Sequence, residues 1–150
     1  MVAWELLRAF LTPEEIKRLR MGSRAINTYD IDGVIMINDQ VGGLTPNFGD
    51  VIITGRSIEE KPETIRMLHD RRLFNIVIMN PTPFNKKSRK NSGIHKGTVL
   101  NTLVGLGFKI GCHFEDDAIQ VREIKKRCSV PIVHLVHNLT EKNNVRRPYP

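Results

Sequence analysis

Two carboxylates stand one residue apart at the point where an apolar stretch of the sequence ends. Residues 25–29 have the character of a short strand, and Asp30, Asp32 and Gly33 follow directly. In an α/β protein the carboxyl ends of parallel strands open into the ligand crevice, and glycine lets the backbone turn away there. The pattern therefore predicts that Asp30 and Asp32 face a crevice in which chemistry takes place.

The same four residues also fit simpler structures. Asp-x-Asp-Gly occurs in turns and in calcium-binding loops. An EF-hand loop requires a glutamate at its twelfth position, whereas the twelfth residue counted from Asp30 is Val41. The calcium interpretation is therefore disfavoured, and a plain turn is the alternative for the motif taken alone.

Three more polar signals follow, each just after a predicted strand or at the start of a predicted helix. Taken alone, they have ordinary explanations: a turn, a surface lysine, and helix N-terminal acids that the helix dipole stabilises. Their order along the chain and their common placement at the ends of elements favour one shared site. In chain order they are Thr54 with Gly55, then Lys96, then the run Glu115, Asp116 and Asp117.

The elements that must position these residues alternate between strands and helices. Apolar runs predict strands at residues 25–29, 51–53, 74–79, 108–114 and 131–136. Helices are predicted over residues 62–72, from Ser92 or His95 to Leu106, and over residues 118–127. This alternation predicts an α/β, three-layer, Rossmann-like fold with a mainly parallel five-stranded sheet flanked by helices.

The two ends of the chain are expected to lie outside that core. Residues 1–24 form a helical appendage, in which Thr12 is the N-cap, Pro13 opens the helix and Glu15 closes a capping box. We expect this appendage to pack on the core or to join a second subunit in an oligomer. The core spans residues 25–138, and the polar, basic tail over residues 139–150 is expected to fray.

Length and composition limit the class of protein. At 150 residues and 40% hydrophobic content the chain fits one domain, and no apolar run reaches the length of a membrane span. The N-terminus lacks the basic start and apolar stretch of a signal peptide. Cys112 and Cys128 have no metal-site spacing, which favours reduced thiols. We therefore expect a soluble cytoplasmic protein that does not bind membranes.

A formal net charge of +7 calls for an anionic partner or simply a solubilising surface. Basic residues concentrate in a predicted polar loop over residues 81–93, where clustered cations can bind backbone phosphates. Phe84 is the one aromatic residue in that loop, so a strong base-stacking platform is not evident there. The candidate substrate-binding residues are Lys86, Lys87, Arg89 and Lys90 in the loop, together with Arg56 and His95.

The ordered set of polar signals resembles the phosphatase branch of the haloacid dehalogenase superfamily over residues 25–136. The first motif of that family is matched by Asp30-Ile31-Asp32-Gly33-Val34. The later motifs are matched by the strand that ends in Thr54-Gly55-Arg56, by Lys96 at a helix start, and by Asp116-Asp117 after a strand.

The resemblance implies a Mg²⁺-dependent phosphatase. Asp30 would be the nucleophile that forms an aspartyl-phosphate, and Asp32 would protonate the leaving oxygen and later deprotonate the hydrolytic water. Thr54, Gly55 and Lys96 would hold the phosphate. Mg²⁺ would be bound by Asp30, by the backbone carbonyl of Asp32 and by Asp116 or Asp117, with Glu115 as a lesser candidate.

The spaces that hold a cap domain in this superfamily are short here, so the resemblance implies a capless, open site. An open site suits extended phosphates, and we expect a nucleotide or a nucleic-acid terminal phosphate, as for a nucleotidase or a polynucleotide phosphatase. Ala118 stands where polynucleotide 3′-phosphatases usually have arginine, which weakens the second assignment. The alternatives are a small phosphometabolite as substrate and a non-catalytic binding module for nucleic acid or protein.

Overall fold

A computed structural model, which describes residues 2–141, has one five-stranded sheet at its centre. All neighbouring strands are parallel. The predicted α/β class and the parallel five-stranded sheet are therefore confirmed. The strands are β1 (Ala25–Tyr29), β2 (Val51–Ser57), β3 (Ile76–Asn80), β4 (Lys109–Glu115) and β5 (Ile132–His134), in the spatial order β3-β2-β1-β4-β5.

Five α-helices surround the described sheet, and all of them are too short or too polar to cross a lipid bilayer. The predicted capping box is confirmed: Thr12 Oγ1 accepts from the Glu15 N–H at 3.2 Å, and Glu15 Oε1 accepts from the Thr12 N–H at 2.8 Å. The helices are α1 (Val2–Leu7), α2 (Pro13–Met21), α3 (Lys61–Asp70), α4 (Arg89–Gly105) and α5 (Ala118–Lys125), and a 3₁₀ turn at Ile58–Glu60 precedes α3.

Apolar side chains form one layer on each face of the sheet, because successive residues of a strand point to opposite faces. Val51 and Ile53 of β2 pack in the layer that also contains residues of α1, α2, α4 and α5. Ile52, which lies between them, packs with α3 and with residues 31–35. Leu7 and Leu19 are buried in the first layer, so the N-terminal helices pack on the core.

The direction of the chain across the sheet reverses next to β1. The chain passes from β1 outward to β2 and β3, and α4 then returns it to the other side of β1, where β4 and β5 lie. Ligands of open α/β sheets bind at such a reversal, outside the carboxyl ends of the strands. Asp30 follows β1 and Glu115 ends β4, and the Asp30 N–H donates to the Phe114 carbonyl at 3.1 Å. The fold therefore places both acids at this reversal.

The structure corrects the predicted start of α4. The helix begins at Arg89, and its N-cap is Ser88, whose hydroxyl accepts from the Asn91 N–H at 3.1 Å. The predicted start at Ser92 or His95 was wrong because a polar first turn carries no apolar periodicity, and the cap alone marks it. Arg89 and Lys90, predicted in a loop, thus belong to the helix.

The remaining features of the fold are the segment after β1, the cysteines and the tail. Residues 31–50 form a short excursion with an antiparallel bridge between Met36 and Gly42. Both cysteines are free thiols. At the start of the tail, Thr140 Oγ1 donates to the Ile37 carbonyl at 2.7 Å, and Asn38 Nδ2 donates to the Leu139 carbonyl at 3.2 Å. These residues are not frayed, and the remainder of the predicted tail, residues 142–150, lies outside the described residues.

Candidate active site

A buried lysine and two buried carboxylates form the centre of the crevice. Lys96 Nζ lies 3.0 Å from Asp30 Oδ1 and 2.7 Å from Glu115 Oε1. Its third hydrogen bond goes to Gln120 Oε1 at 2.6 Å. A charge inside a protein is tolerated only when it is paired and hydrogen-bonded, and all three donors of this ammonium are used.

The ion pairs set the protonation states of the centre. Burial alone would lower the pKa of Lys96, but the Asp30 and Glu115 carboxylates outweigh burial and raise that pKa. Burial would likewise raise the pKa of Glu115, but Lys96 and His113 outweigh burial and lower it. Lys96 is therefore a fixed cation beside Asp30, and Glu115 is ionised.

Three acids converge at this edge of the sheet. Asp30, Glu115 and Asp116 each offer a carboxylate oxygen, and these oxygens lie within 4.8 Å of one another. Oxygen donors of this kind are what Mg²⁺ prefers, so the donor set fits the predicted cation. The structure thus brings together Asp30 and one of the two alternative ligands, Asp116.

The absence of a side chain at Gly33 leaves room for the Asp116 carboxylate. Its φ is +91°, in the region that only glycine adopts readily. A Cβ atom on this residue would lie 1.9 Å from Asp116 Oδ2. The Gly33 carbonyl also accepts a hydrogen bond from His137 Nε2 at 2.8 Å. The glycine of the first motif is therefore required both by the turn and by the close approach of the carboxylate.

Asp117 has a structural role and lies outside the acidic cluster. It is the N-cap of α5, and its Oδ1 accepts from the Ile119 N–H at 2.8 Å. Arg89 donates two hydrogen bonds to the same carboxylate, from Nε to Oδ2 at 2.7 Å and from Nη2 to Oδ1 at 3.0 Å. Burial would raise the pKa of Asp117, but Arg89 outweighs burial and lowers it. This carboxylate ties the start of α4 to the start of α5.

Asp32 is paired with Arg56 across the mouth of the crevice. The guanidinium donates to both carboxylate oxygens, from Nε at 2.9 Å and from Nη2 at 2.8 Å. Arg56 Nη1 also donates to Thr64 Oγ1 at 3.3 Å, which attaches the guanidinium to α3. Burial would lower the pKa of Arg56, but Asp32 outweighs burial and raises it. Arg56 therefore lies within the candidate site, in contact with the second aspartate of the first motif.

The turn after Thr54 faces a buried serine that sequence reasoning missed. Thr54 Oγ1 accepts from the Arg56 N–H at 3.0 Å. A Cβ atom on Gly55 would lie 2.6 Å from Ser92 Oγ and 3.9 Å from Lys96 Cε. Ser92 Oγ is buried and has no hydrogen-bond partner among the described residues. Ser92 precedes Lys96 by one helical turn, and this i, i+4 spacing was the available sequence signal.

The basic segment divides into structural and exposed residues. Lys87 is fully buried, and its Nζ donates to the Gly55 carbonyl at 3.1 Å and to Glu60 Oε2 at 3.4 Å. Burial lowers the pKa of Lys87, although Glu60 opposes this. The expectation that Lys87 lies on an exposed binding loop was wrong, because its ammonium satisfies a buried carbonyl. Lys86 and Lys90 are exposed.

His95 points away from the site. It is 8% exposed, and its ring packs edge-on against Phe10, with ring centroids 5.4 Å apart. Its Nε2 has no hydrogen-bond partner among the described residues. Burial, assisted by the nearby Lys96 charge, lowers the pKa of His95 to about 3. A neutral, enclosed imidazole of this kind does not fit the predicted contact with substrate.

A buried histidine stands behind Glu115. His113 Nε2 lies 3.3 Å from Glu115 Oε1, and His113 Nδ1 lies 2.7 Å from Thr28 Oγ1. Burial lowers the pKa of His113, so the ring is neutral and donates through Nε2 while it accepts from Thr28. These contacts fix the orientation of Glu115. Sequence reasoning missed His113 because two adjacent strands supply the partners, and their register is a tertiary property.

No family model matches this chain, and no curated protein matches it. The interpretation of the site therefore depends on its own geometry. That geometry consists of a buried Asp30–Lys96–Glu115 centre, a neighbouring Asp116 and an Asp32–Arg56 pair at the mouth.

Proposed function

We propose that this chain is a Mg²⁺-dependent phosphomonoester phosphatase of the capless haloacid dehalogenase type, which acts through an aspartyl-phosphate. The observation that carries the proposal is the position of Asp30. It lies at the reversal of the strand order, 3.0 Å from a buried lysine and within the three-acid cluster. A carboxylate at this position combines a nucleophilic oxygen with the positive charge that a phosphate dianion needs for approach.

Each covalent step has an assigned residue. A carboxylate oxygen of Asp30 attacks phosphorus, a new P–O bond forms, and the bond from phosphorus to the leaving oxygen breaks. Asp32 gives its proton to the leaving oxygen. In the second step water attacks phosphorus, the bond from phosphorus to the Asp30 oxygen breaks, Asp32 accepts a proton of that water, and inorganic phosphate leaves. Asp30 is thus regenerated as a carboxylate, and Asp32 regains the proton that it gave to the leaving oxygen.

Arg56 couples substrate binding to the state of Asp32. Before substrate binds, the guanidinium donates to both oxygens of Asp32, and a bidentate contact of this kind favours the charged form of a carboxylate. A phosphate dianion can also accept two hydrogen bonds from the Arg56 guanidinium, so it competes with the Asp32 carboxylate for this side chain. When the phosphate takes over this contact, Asp32 loses its two hydrogen bonds from Arg56. Its carboxylate can then take up a proton from solvent and pass that proton to the leaving oxygen.

The residues present fit the implied cation. Asp30 and Asp116 supply carboxylate oxygens, and the backbone carbonyl of Asp32 supplies the third protein ligand in this assignment. Glu115 is a weaker choice because its Oε1 is already held by two groups, Lys96 Nζ at 2.7 Å and His113 Nε2 at 3.3 Å. When bound, Mg²⁺ supplies the charge that lets carboxylates and phosphate share one site. Lys96 and Ser92 act beside it as a fixed cation and as a hydroxyl donor for the phosphoryl group.

The substrate class is inferred from the segments of the chain that surround the buried centre. The excursion over residues 31–50 forms no separate domain over the crevice. Lys86 and Lys90 are exposed near the start of α4, where helix dipole and side-chain charges both favour an anion. A nucleotide or a nucleic-acid terminal phosphate fits this surface, and a small phosphometabolite is the alternative.

The test is phosphate release from an aryl phosphate, from mononucleotides and from oligonucleotides phosphorylated at the 3′ or 5′ end. The proposal predicts release that requires Mg²⁺ and disappears in Asp30→Asn. Asp70→Asn is the matched control, because Asp70 is an exposed acid at the end of α3. Release that is unchanged in Asp30→Asn would overturn the assignment of the nucleophile, and release without Mg²⁺ would overturn the assignment of the cation.

A further inference from the structure

A fully exposed phenylalanine lies at the edge of the sheet opposite the candidate site. Phe48 has a relative exposure of 105% and lies in the turn that precedes β2. This turn is at the amino end of the strands, whereas Asp30 and Asp116 follow carboxyl ends. Strands β1 and β2 have five and seven residues, which separates the two edges by roughly 20 Å at about 3.3 Å per residue.

Four hydrogen bonds hold the turn that carries Phe48. The Asp50 N–H donates to the Asn47 carbonyl at 3.0 Å, and Gly49 has φ +91°, as the third residue of a type II turn requires. Asp50 Oδ2 accepts from the Asn47 N–H at 3.1 Å. Asn75 Nδ2 donates to the carbonyls of Asn47 and Asp50, at 2.9 and 3.0 Å. The aromatic ring is therefore held out into solvent by an ordered backbone, which lowers the entropic cost of binding to it.

Two cavities flank the ring. One, of about 590 Å³, lies between the end of α2, the turn and the start of β3, and it includes the exposed side chains Met21 and Phe74. The other, of about 720 Å³, lies at the starts of β1 and β4. Phe74 is 56% exposed, so two aromatic rings are accessible on this surface.

The charges around these cavities are positive. Arg18 and Arg72 line the first cavity, and Lys109 lines the second. Asp50 is the one acidic residue among the described residues that line either cavity, and it is 7% exposed. Its carboxylate oxygens accept from the backbone N–H groups of Asn27 and Asn47, at 3.0 and 3.1 Å. The surface that solvent meets is therefore cationic and aromatic.

Arg72 occupies a backbone position that favours glycine. Its φ is +63°, just past the end of α3, where helices commonly end with glycine or asparagine. A side chain with a Cβ carries a conformational cost in this region that glycine avoids. The observation makes Arg72 a sensitive probe, since its replacement by glycine removes a cation without straining the fold.

We propose that this surface binds single-stranded nucleic acid, with bases stacked on Phe48 and Phe74 and with backbone phosphates bound by Arg18, Arg72 and Lys109. Exposed aromatic rings beside clustered cations are the features with which proteins hold single strands irrespective of sequence. Charge complementarity selects this occupant over a second copy of the chain, since a second copy would bring the same cations against one another. The proposal does not depend on the phosphatase assignment, because the two sites lie at opposite edges of the sheet.

The test is binding of a fluorescent single-stranded oligonucleotide without terminal phosphates, followed by anisotropy in an Asp30→Asn background without Mg²⁺. Under these conditions the candidate active site contributes neither turnover nor a terminal-phosphate contact. We expect binding that weakens as salt rises. Phe48→Ser should weaken it roughly tenfold, the effect of losing one stacked base. Val41→Ser is the matched control, because Val41 is an exposed apolar residue of the excursion, and it should bind as the parent does.

Arg72→Gly is the second test variant in the same binding assay. It should preserve or raise the stability of the fold, weaken binding, and lower the slope of log affinity against log salt by about 0.7, the value for one lost phosphate contact on a single strand. The proposal would be overturned by a failure of the parent to bind at low salt, or by parent-like binding of both Phe48→Ser and Arg72→Gly. Concentration-dependent self-association that Phe48→Ser abolishes, without oligonucleotide binding, would assign the surface to a dimer interface instead.

Discussion

Lowering the pH from 7 to 5 should destabilise the protein through His95. Its imidazole is 8% exposed, contacts the Phe10 ring edge-on and has no partner for Nε2 among the described residues. Burial and the neighbouring Lys96 charge lower the pKa of His95 from the ordinary 6.5 to about 3. The folded protein therefore excludes a proton that the unfolded chain accepts.

The sign and size of the effect follow from this difference in proton uptake. The folded-state pKa is the lower one, so the stabilisation from a neutral His95 is complete above about pH 6.5 and is lost as the pH falls toward about 3. Each pH unit inside that window costs about 1.4 kcal/mol in the free energy of unfolding. Proton uptake by His95 in the unfolded chain begins just below pH 7, so the free energy of unfolding falls by about 2 kcal/mol between pH 7 and pH 5.

The assay is urea unfolding at both pH values for the wild type, His95→Leu and His95→Gln. Neither replacement titrates, and the carboxylates that also respond to acid are common to all three proteins. The difference in unfolding free energy between pH 7 and pH 5 should therefore be about 2 kcal/mol smaller in both variants. An equal pH dependence in all three proteins would show that His95 is not excluded from protonation in the fold.

Three further predictions concern the turn at Gly33, the phosphate contact of Ser92 and the N-cap of α2. Gly33→Ala should cost about 2 kcal/mol or more in urea unfolding and abolish turnover, because of its positive φ and the approach of Asp116; Gly42→Ala, which meets nothing within 4 Å, should cost far less. Ser92→Ala should leave the unfolding free energy unchanged or raise it, while KM for an aryl phosphate rises about tenfold through the loss of one hydrogen bond to a charged group. An unchanged KM would show that Ser92 does not bind the phosphate. Thr12→Ala should cost about 1 kcal/mol in thermal unfolding through the lost N-cap, and no loss would contradict the capping box.

Local rules recovered most of the fold from the sequence. The bounds of β1 and the capping box at Thr12 follow from short-range patterns, and the structure has both. The alternation of strands and helices was sufficient for the parallel sheet, since crossovers between such elements have few arrangements. The reversal beside β1 then brought Asp30 and the acids after β4 to the same edge.

The rest depended on contacts that no local pattern contains. Asp117 is the N-cap of α5 and binds Arg89, so only the tertiary structure separates it from Asp116. Lys87 reads as a surface cation in the sequence, but its ammonium satisfies the Gly55 carbonyl, 32 residues away along the chain. The basic segment therefore contributes to structure as much as to charge. The exposure of Phe48 was likewise not predictable from the sequence, because only the fold shows which aromatic side chains are left out of the core.

The central claim is that Asp30 becomes covalently phosphorylated. The most direct measurement is acid quenching of a single turnover with a phosphomonoester, followed by mass spectrometry of the peptide that contains Asp30. The account predicts a phosphoryl group on Asp30 in the wild type and its absence from Asp30→Asn. With an activated aryl phosphate, whose leaving oxygen needs no proton, the phosphoryl group should accumulate in Asp32→Asn because the hydrolytic water lacks a base. Turnover of the same substrate without any phosphorylated Asp30 in either active protein would contradict the account.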